Sequence, residues 1–305
     1  VGVVEFEDVV KSYDSTQALR GATFEVPKNC VAGLVGPNGA GKTTSLKIAI
    51  GALRRDYGTV SVLGYDPWEE PERVRALTGF LPEVPQFPSV KVWKLLLHVA
   101  KLKVGSGAER EVRRVSRLVG IKGVMGKVAS KLSAGYRQRV ALALAMIGEP
   151  KLLILDEPAA NLDPGARSEL YELIKNLNKD YGVSILLSTH ILAEAQEILD
   201  YLIIISKGVI VAEGWITELV REAKLSVRAV FRVPKGIELR RLVTDLMSTY
   251  EVEGVSIKGN ELVIEGSSDV VRRVKEYLSK YGIELVEERT GDLLTLYNRL
   301  VGGAS

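Results

Sequence analysis

Residues 31 to 44, VAGLVGPNGAGKTT, constrain the fold of this chain more than any other stretch. Five apolar residues run without a break into a glycine-rich loop, the pattern of a short strand buried on both faces. Gly36 to Thr44 keeps the spacing G-x-x-x-x-G-K-[ST], in which each fixed position has a mechanical reason. Across Gly36, Pro37, Asn38, Gly39, Ala40 and Gly41, the glycines let backbone N–H groups wrap around phosphate oxygens. Lys42 is placed to reach the β- and γ-phosphates of a nucleotide, and the Thr43 hydroxyl to act as a ligand for Mg²⁺. Thr44 continues a helix expected over Thr43 to Ile50, whose positive end adds to the pull on an anion. A strand, loop and helix of this kind point to an α/β fold with a parallel sheet, where ligands gather at the carboxyl ends of strands.

Two later apolar runs, KLLILDE and VSILLSTH, read as further buried strands, each with polar groups at its carboxyl end. YLIIISKGVIVAEG reads as a hairpin turning at Lys207 and Gly208. From about Val90 to Gly148 the pattern is helical, with Val112, Val115 and Leu118 at helical spacing. A chain of 305 residues, 46% hydrophobic and 26% charged, has the material for one large domain plus a small one. The single Cys30 leaves no internal disulfide and suits a reducing compartment. The apolar runs around Ile154 and Ile204 fall far short of the roughly 20 residues that cross a bilayer. The first ten residues, VGVVEFEDVV, carry acids where a signal peptide would be basic. Any membrane role is therefore expected to come through a partner chain.

From about Leu225 the style changes. LSVRAVFRV places Leu225, Val227, Ala229, Phe231 and Val233 on one face of a half-exposed strand. A helix with Leu239, Leu242, Val243, Leu246, Met247 and Tyr250 on one stripe comes next, then two strands joined at Lys258-Gly259-Asn260. A second helix, expected to start at a Ser268 cap, carries Val271, Val274, Leu278 and Tyr281, and IELVEE gives a last strand. The order βαββαβ is that of a ferredoxin-like fold. A closing amphipathic helix is expected over Asp292 to Val301. The boundary is placed near Ala223, giving a P-loop domain over 1–223, with its helical subdomain at about 90–148, and an accessory domain over 224–305.

Two more stretches carry chemistry. KLLILDEP ends a buried strand in Asp156, expected to hold Mg²⁺, and Glu157, placed to polarise an attacking water. LSAGYRQRV reads as a turn entering a helix, with Ser133 and Gly135 where donors would point at an anion.

In order, GPNGAGKTT, LSAGYRQRV, KLLILDEP, ANLD and STH resemble the Walker A, signature, Walker B, D-loop and switch-histidine motifs of an ABC-type ATPase cassette, over roughly Val3 to Leu219. The signature separates this family from other proteins with a phosphate loop. The resemblance implies ATP and Mg²⁺ as cofactors and two cassettes packed head to tail, each ATP lying between one chain's loop and the other's signature. Ser133 and Gly135 would then grip the γ-phosphate of a nucleotide on the neighbouring subunit. Tyr13 resembles the aromatic that stacks on adenine, His190 the histidine that contacts the γ-phosphate, and Asp163 the D-loop aspartate at the dimer interface. His98, the other histidine, is read as part of an apolar helical stripe.

Two departures stand out. GFLPEVPQFP offers Glu83 where most members have Gln, with Gln86 three residues on, and a carboxylate at Glu83 can still bind Mg²⁺ through oxygen. The signature has Ala134 and Tyr136 at substituted positions. Glu83 together with a ferredoxin-like tail resembles the exporter-type branch.

Lys101 to Lys131 holds nine basic and two acidic residues, either a solvated helix face or, as the resemblance implies, the region that docks a membrane-spanning permease subunit close to anionic headgroups. The tail from Lys224 onward has thirteen basic and twelve acidic residues, so no nucleic-acid partner is expected. The resemblance implies a peripheral protein on the cytoplasmic face of the cell membrane, paired as a homodimer or heterodimer. A non-transport ABC ATPase of translation, DNA repair or chromosome organisation is the alternative. Translation factors of that kind carry two cassettes per chain, and the repair and chromosome proteins need a long coiled coil between Lys42 and Ser133, where only about ninety residues lie.

Overall fold

The strand expected at residues 31 to 35 lies inside a six-stranded sheet in the computed structural model, which describes residues 2–222, 227–234, 237, 239–289 and 297. The chain divides into two compact units, Val1–Gly214 and Trp215–Ser305. The division falls ahead of Ala223, which itself lies outside the described residues.

The first unit begins with β1 (Val4–Tyr13), β2 (Thr16–Val26), β3 (Val31–Val35), α1 (Lys42–Ala49), β4 (Tyr57–Val62), α2 (Pro71–Leu77) and β5 (Thr78–Leu81). It continues through α3 (Val92–Val104), α4 (Ala108–Leu118), α5 (Ala134–Ala145), β6 (Leu152–Leu155) and α6 (Pro164–Tyr181). β7 (Ser184–Thr189), α7 (Leu192–Ala195), β8 (Tyr201–Ser206) and β9 (Val209–Trp215) complete it. The large sheet has the order β5-β6-β7-β3-β8-β9, and β5, β6, β7, β3 and β8 run parallel. Every residue of β3, β6, β7 and β8 is buried, as apolar strands covered on both faces require. β8 and β9 form the expected hairpin, with positive φ at both Lys207 (49°) and Gly208 (82°), the backbone of a tight turn matched to strand twist.

A second sheet, β2-β1-β4, is antiparallel and packs its apolar face over α1. Phe6 and Phe24 stack at 4.5 Å within that layer, and Leu19, Leu34, Leu46 and Ile203 join the same core. α6 is bounded by its own chemistry: Asp163 accepts from the Ala166 N–H, Pro164 starts the helix, and Gly182 ends it at φ 65°. The expected helical region resolves into α3, α4 and α5, and His98 is exposed on α3 rather than part of its apolar stripe. Among the described residues no helix is long and apolar enough to cross a membrane.

The second unit contains α8 (Ile216–Glu222), β10 (Val227–Arg232), α9 (Leu239–Thr249), β11 (Gly254–Lys258), β12 (Glu261–Gly266), α10 (Ser268–Ser279) and β13 (Glu284–Arg289). Its sheet has the order β11-β12-β10-β13, all antiparallel, which is the ferredoxin-like arrangement. Phe231, Leu246, Ile264, Val274 and Leu278 fill the space between sheet and helices. Two details differ from the sequence reading. Ser267, not Ser268, caps α10, its hydroxyl accepting from the Val270 N–H. Met247 and Tyr281 are exposed instead of buried on their stripes. Leu225 and the helix expected over Asp292 to Val301 lie outside the described residues, apart from Tyr297.

Candidate active site

Four neighbouring parallel strands, β5, β6, β7 and β3, deliver their carboxyl ends to one edge of the sheet. Each of them leads into a polar group: β5 into Glu83, β6 into Asp156 and Glu157, β7 into His190, and β3 into the glycine-rich loop. Parallel pairing therefore gathers groups far apart in sequence. A cavity of about 450 Å³ lies there, lined by Ala18, Asn38, Gly39, Gly41, Lys42, Thr43, Thr44, Glu83, Glu157 and His190. Glu83 lines it and Gln86 does not.

The loop leaves no room for larger residues at its ends. A Cβ on Gly36 would sit 2.2 Å from the Ile205 carbonyl oxygen, and Gly41 adopts φ 110° beside the Ala18 carbonyl. Lys42, only 6% exposed, donates to the carbonyls of Gly36 at 2.8 Å and Pro37 at 3.2 Å. It also lies 3.2 Å from Glu157 Oε1, and a buried ammonium needs this number of acceptors.

The two carboxylates are held differently. Asp156 Oδ1 accepts from Thr43 Oγ1 at 3.1 Å and from Ser188 Oγ at 2.7 Å, while its own N–H donates to the Leu81 carbonyl. Glu157 sits at φ 44°, in the left-handed region that side chains other than glycine rarely adopt, so the chain turns sharply just where the side chain enters the cavity. Its N–H donates to Ser188 Oγ at 2.9 Å and its Oε2 lies 2.9 Å from His190 Nδ1. Ser188, fully buried in β7, thus ties both acidic residues together. Sequence reasoning did not single it out, although a serine inside an otherwise apolar buried strand is a signal that something polar must meet it.

The residues fit a nucleotide with its cation. A threonine hydroxyl and a carboxylate oxygen side by side form a hard oxygen set, and no cluster of three or more His, Cys, Asp or Glu able to hold a metal exists among the described residues. Mg²⁺ is commonly bound by one or two such groups plus substrate phosphates.

The remaining expected residues lie elsewhere. Ser133 and Gly135, at the start of α5, line a separate cavity of about 400 Å³ with Ala134, Tyr136, Asn161 and Asp163. Ser133 is exposed and its hydroxyl makes no capping bond to its own helix, which leaves it able to face outward. Asp163 lies in this second cavity and caps α6. Tyr13, 44% exposed at the end of β1, lies outside both cavities' walls, its ring 5.8 Å from Lys11 Nζ.

A parallel sheet with this loop, paired strand-end carboxylates and a separate cavity at the start of α5 defines a P-loop nucleotide hydrolase. The chain matches the ABC transporter family over residues 19–160, and an AAA domain family, described as putative AbiEii toxin, type IV TA system, over residues 128–194. It is 30% identical over 304 residues to a bacitracin transport ATP-binding protein, BcrA of Enterococcus faecalis, covering 99% of this chain and 97% of that protein. Against the daunorubicin/doxorubicin resistance ATP-binding protein DrrA of Streptomyces peucetius it is 34% identical, covering 71% and 66%. Against the spermidine/putrescine import ATP-binding protein PotA of Spiroplasma citri it is 30% identical, covering 88% and 73%. A solved ATP-binding subunit of an ABC transporter superposes with a TM-score of 0.65 at 30% identity, covering 80% of this chain and 99% of that one. The chain belongs to the ATP-binding proteins of ABC transporters, a family of ATPases, and the reading as a translation, repair or chromosome ATPase falls away.

Proposed function

We propose that this chain is the ATP-hydrolysing subunit of an ABC exporter, working as one of two cassettes beneath a membrane-spanning permease subunit on the cytoplasmic face of the membrane. The observation that supports it most is the separation of two half-sites. The cavity of the phosphate loop and the cavity of Ser133, Gly135 and Asp163 share no lining residue. Two copies packed head to tail would complete both, the loop of one facing the signature of the other.

Within such a pair Lys42 neutralises the β- and γ-phosphates, Tyr13 stacks on adenine, and Ser133 with Gly135 donates to the γ-phosphate of the partner's ATP. Glu157 polarises the attacking water, and His190, bonded to its Oε2, orients that carboxylate and reaches the γ-phosphate. Thr43, Asp156 and Glu83 would hold Mg²⁺, which supplies charge neutralisation across the phosphates when bound. Export is read over import because Glu83 together with the ferredoxin-like second unit resembles the exporter-type branch. Residues after Ala223 are read as an accessory domain that tunes pairing or regulation rather than nucleotide binding.

The test uses two inactive proteins, Lys42→Ala and Ser133→Arg. Each alone damages every composite site. In a mixed dimer both lesions fall in one site and the other is whole, so mixing recovers part of the ATPase activity. Mixed dimers demonstrated by light scattering with no recovered turnover would refute the composite site.

A further inference from the structure

Gln138 is 4% exposed on α5, and its Nε2 donates to the backbone oxygen of Glu83 at 3.2 Å. The partner decides the amide's orientation, since only the NH₂ group can face a carbonyl oxygen. Its Oε1 is buried with no donor among the described residues. Buried polar atoms are rarely left so, and each exception asks for a reason beyond packing.

The surroundings supply one. Residues 82–90 form neither helix nor strand and include Pro82, Pro85 and Pro88, so the Glu83 peptide has no ladder to hold it. On one side the segment is tied to the site, the Leu81 carbonyl accepting from the Asp156 N–H at 2.8 Å. On the other it is bonded to α5 through Gln138, while β5, the strand just before it, runs close to the same helix, a Cβ on Gly79 falling 2.1 Å from the Ala145 carbonyl oxygen. α5 is also the helix whose first turn lines the signature cavity.

We propose that Gln138 is a positioning residue, holding the Glu83 peptide so that its carboxylate stays at the phosphate-loop cavity while fixing that loop to the helix that presents Ser133 and Gly135. The inference rests on the role proposed above for Glu83. It assigns Gln138 no contact with nucleotide; its effect passes through Glu83.

The experiment uses the full chain with Gln138→Met, which keeps length and apolar bulk but cannot donate. Two quantities are read against Mg²⁺ concentration: calorimetric binding of a non-hydrolysable ATP analogue, and ATPase turnover. Loss of one hydrogen bond to a now unpaired carbonyl corresponds to about a tenfold rise in the Mg²⁺ needed for half-maximal effect. Binding of the analogue without Mg²⁺ is expected to be unchanged. Glu83→Ala should shift the same Mg²⁺ dependence, and the double variant should be no worse than Glu83→Ala alone, because residues acting through one another are not additive. A shift for Glu83→Ala with none for Gln138→Met, or two shifts that add in full, overturns the inference. No shift for Glu83→Ala instead overturns the reading of Glu83 itself. Should Gln138→Met fail to fold, Gln138→Leu, also apolar and unable to donate, is read by the same measurements.

Discussion

Removing one hydroxyl, by Ser188→Ala, tests whether the acidic pair is held as the structure indicates. Ser188 is fully buried, donates to Asp156 Oδ1 at 2.7 Å and accepts from the Glu157 N–H at 2.9 Å. A hydrogen bond to an ionised group contributes about 1.5–3 kcal/mol, and a buried N–H left without an acceptor costs about 1–3 kcal/mol. The lower ends of the two ranges give the smallest effect to expect. Together they predict a destabilisation of about 3 kcal/mol. With a urea slope of about 3 kcal/mol/M, the midpoint moves down by about 1 M. Tryptophan fluorescence reports the transition, since Trp68 and Trp93 lie in the first unit. Ser184 in the same strand is the control. It is equally buried, but its hydroxyl accepts only one neutral bond, from the Asn29 N–H at 2.9 Å. Ser184→Ala should therefore move the midpoint about a third as far. Equal shifts for the two variants, or an unmoved midpoint for Ser188→Ala, would refute the assignment of a charged network at Ser188.

Two further outcomes rest on the same structure. Glu157→Gln should leave ATP binding intact, slow turnover by about 10²-fold or more, and make an ATP-bound dimer visible on a sizing column; near-normal hydrolysis would remove Glu157 from its role as base. Burial alone would push the Glu111 carboxyl up, but a bidentate bond from Arg114 and the Gly148 N–H outweigh it and hold it below the ordinary range. The unfolded chain then takes up a proton first, at about pH 4.3, so the stability Glu111 supplies is complete above that value and is lost as pH falls through the lowered folded value. Urea midpoints of wild type and Glu111→Gln should differ at pH 7 and draw together as pH falls from about 4.3 through the lowered folded value; a gap unchanged across that range removes Glu111 from the acid response.

The phosphate loop, the buried strands and the signature were readable because each is a local pattern. Gly36 to Thr44 needs its residue types at fixed spacing within nine positions, and an apolar run covered on both faces looks the same wherever it pairs. The antiparallel sheet at the amino end was less legible for an equally local reason. β1 buries Val4 and Phe6, then shifts register around Asp8, which sits at φ 49°, and buries Val9, so the period of two breaks in mid-strand. The second unit's fold was legible in its order of elements, whereas the cap of α10 turned on a choice between adjacent serines that composition cannot make.

Partnership between distant residues is what no pattern along the chain could disclose. Ser188 meets Asp156 across thirty-two positions, and Gln138 meets Glu83 across fifty-five. Glu83 and Gln86 are both polar and close in sequence; motif position favours Glu83, and Glu83 lines the cavity while Gln86 does not. Spacing along the backbone carries information about helices, strands and turns, because those are built from neighbours. Which side chains face one another across the sheet edge depends on strand order and on how α5 packs against β5, and these arise only when the whole core closes.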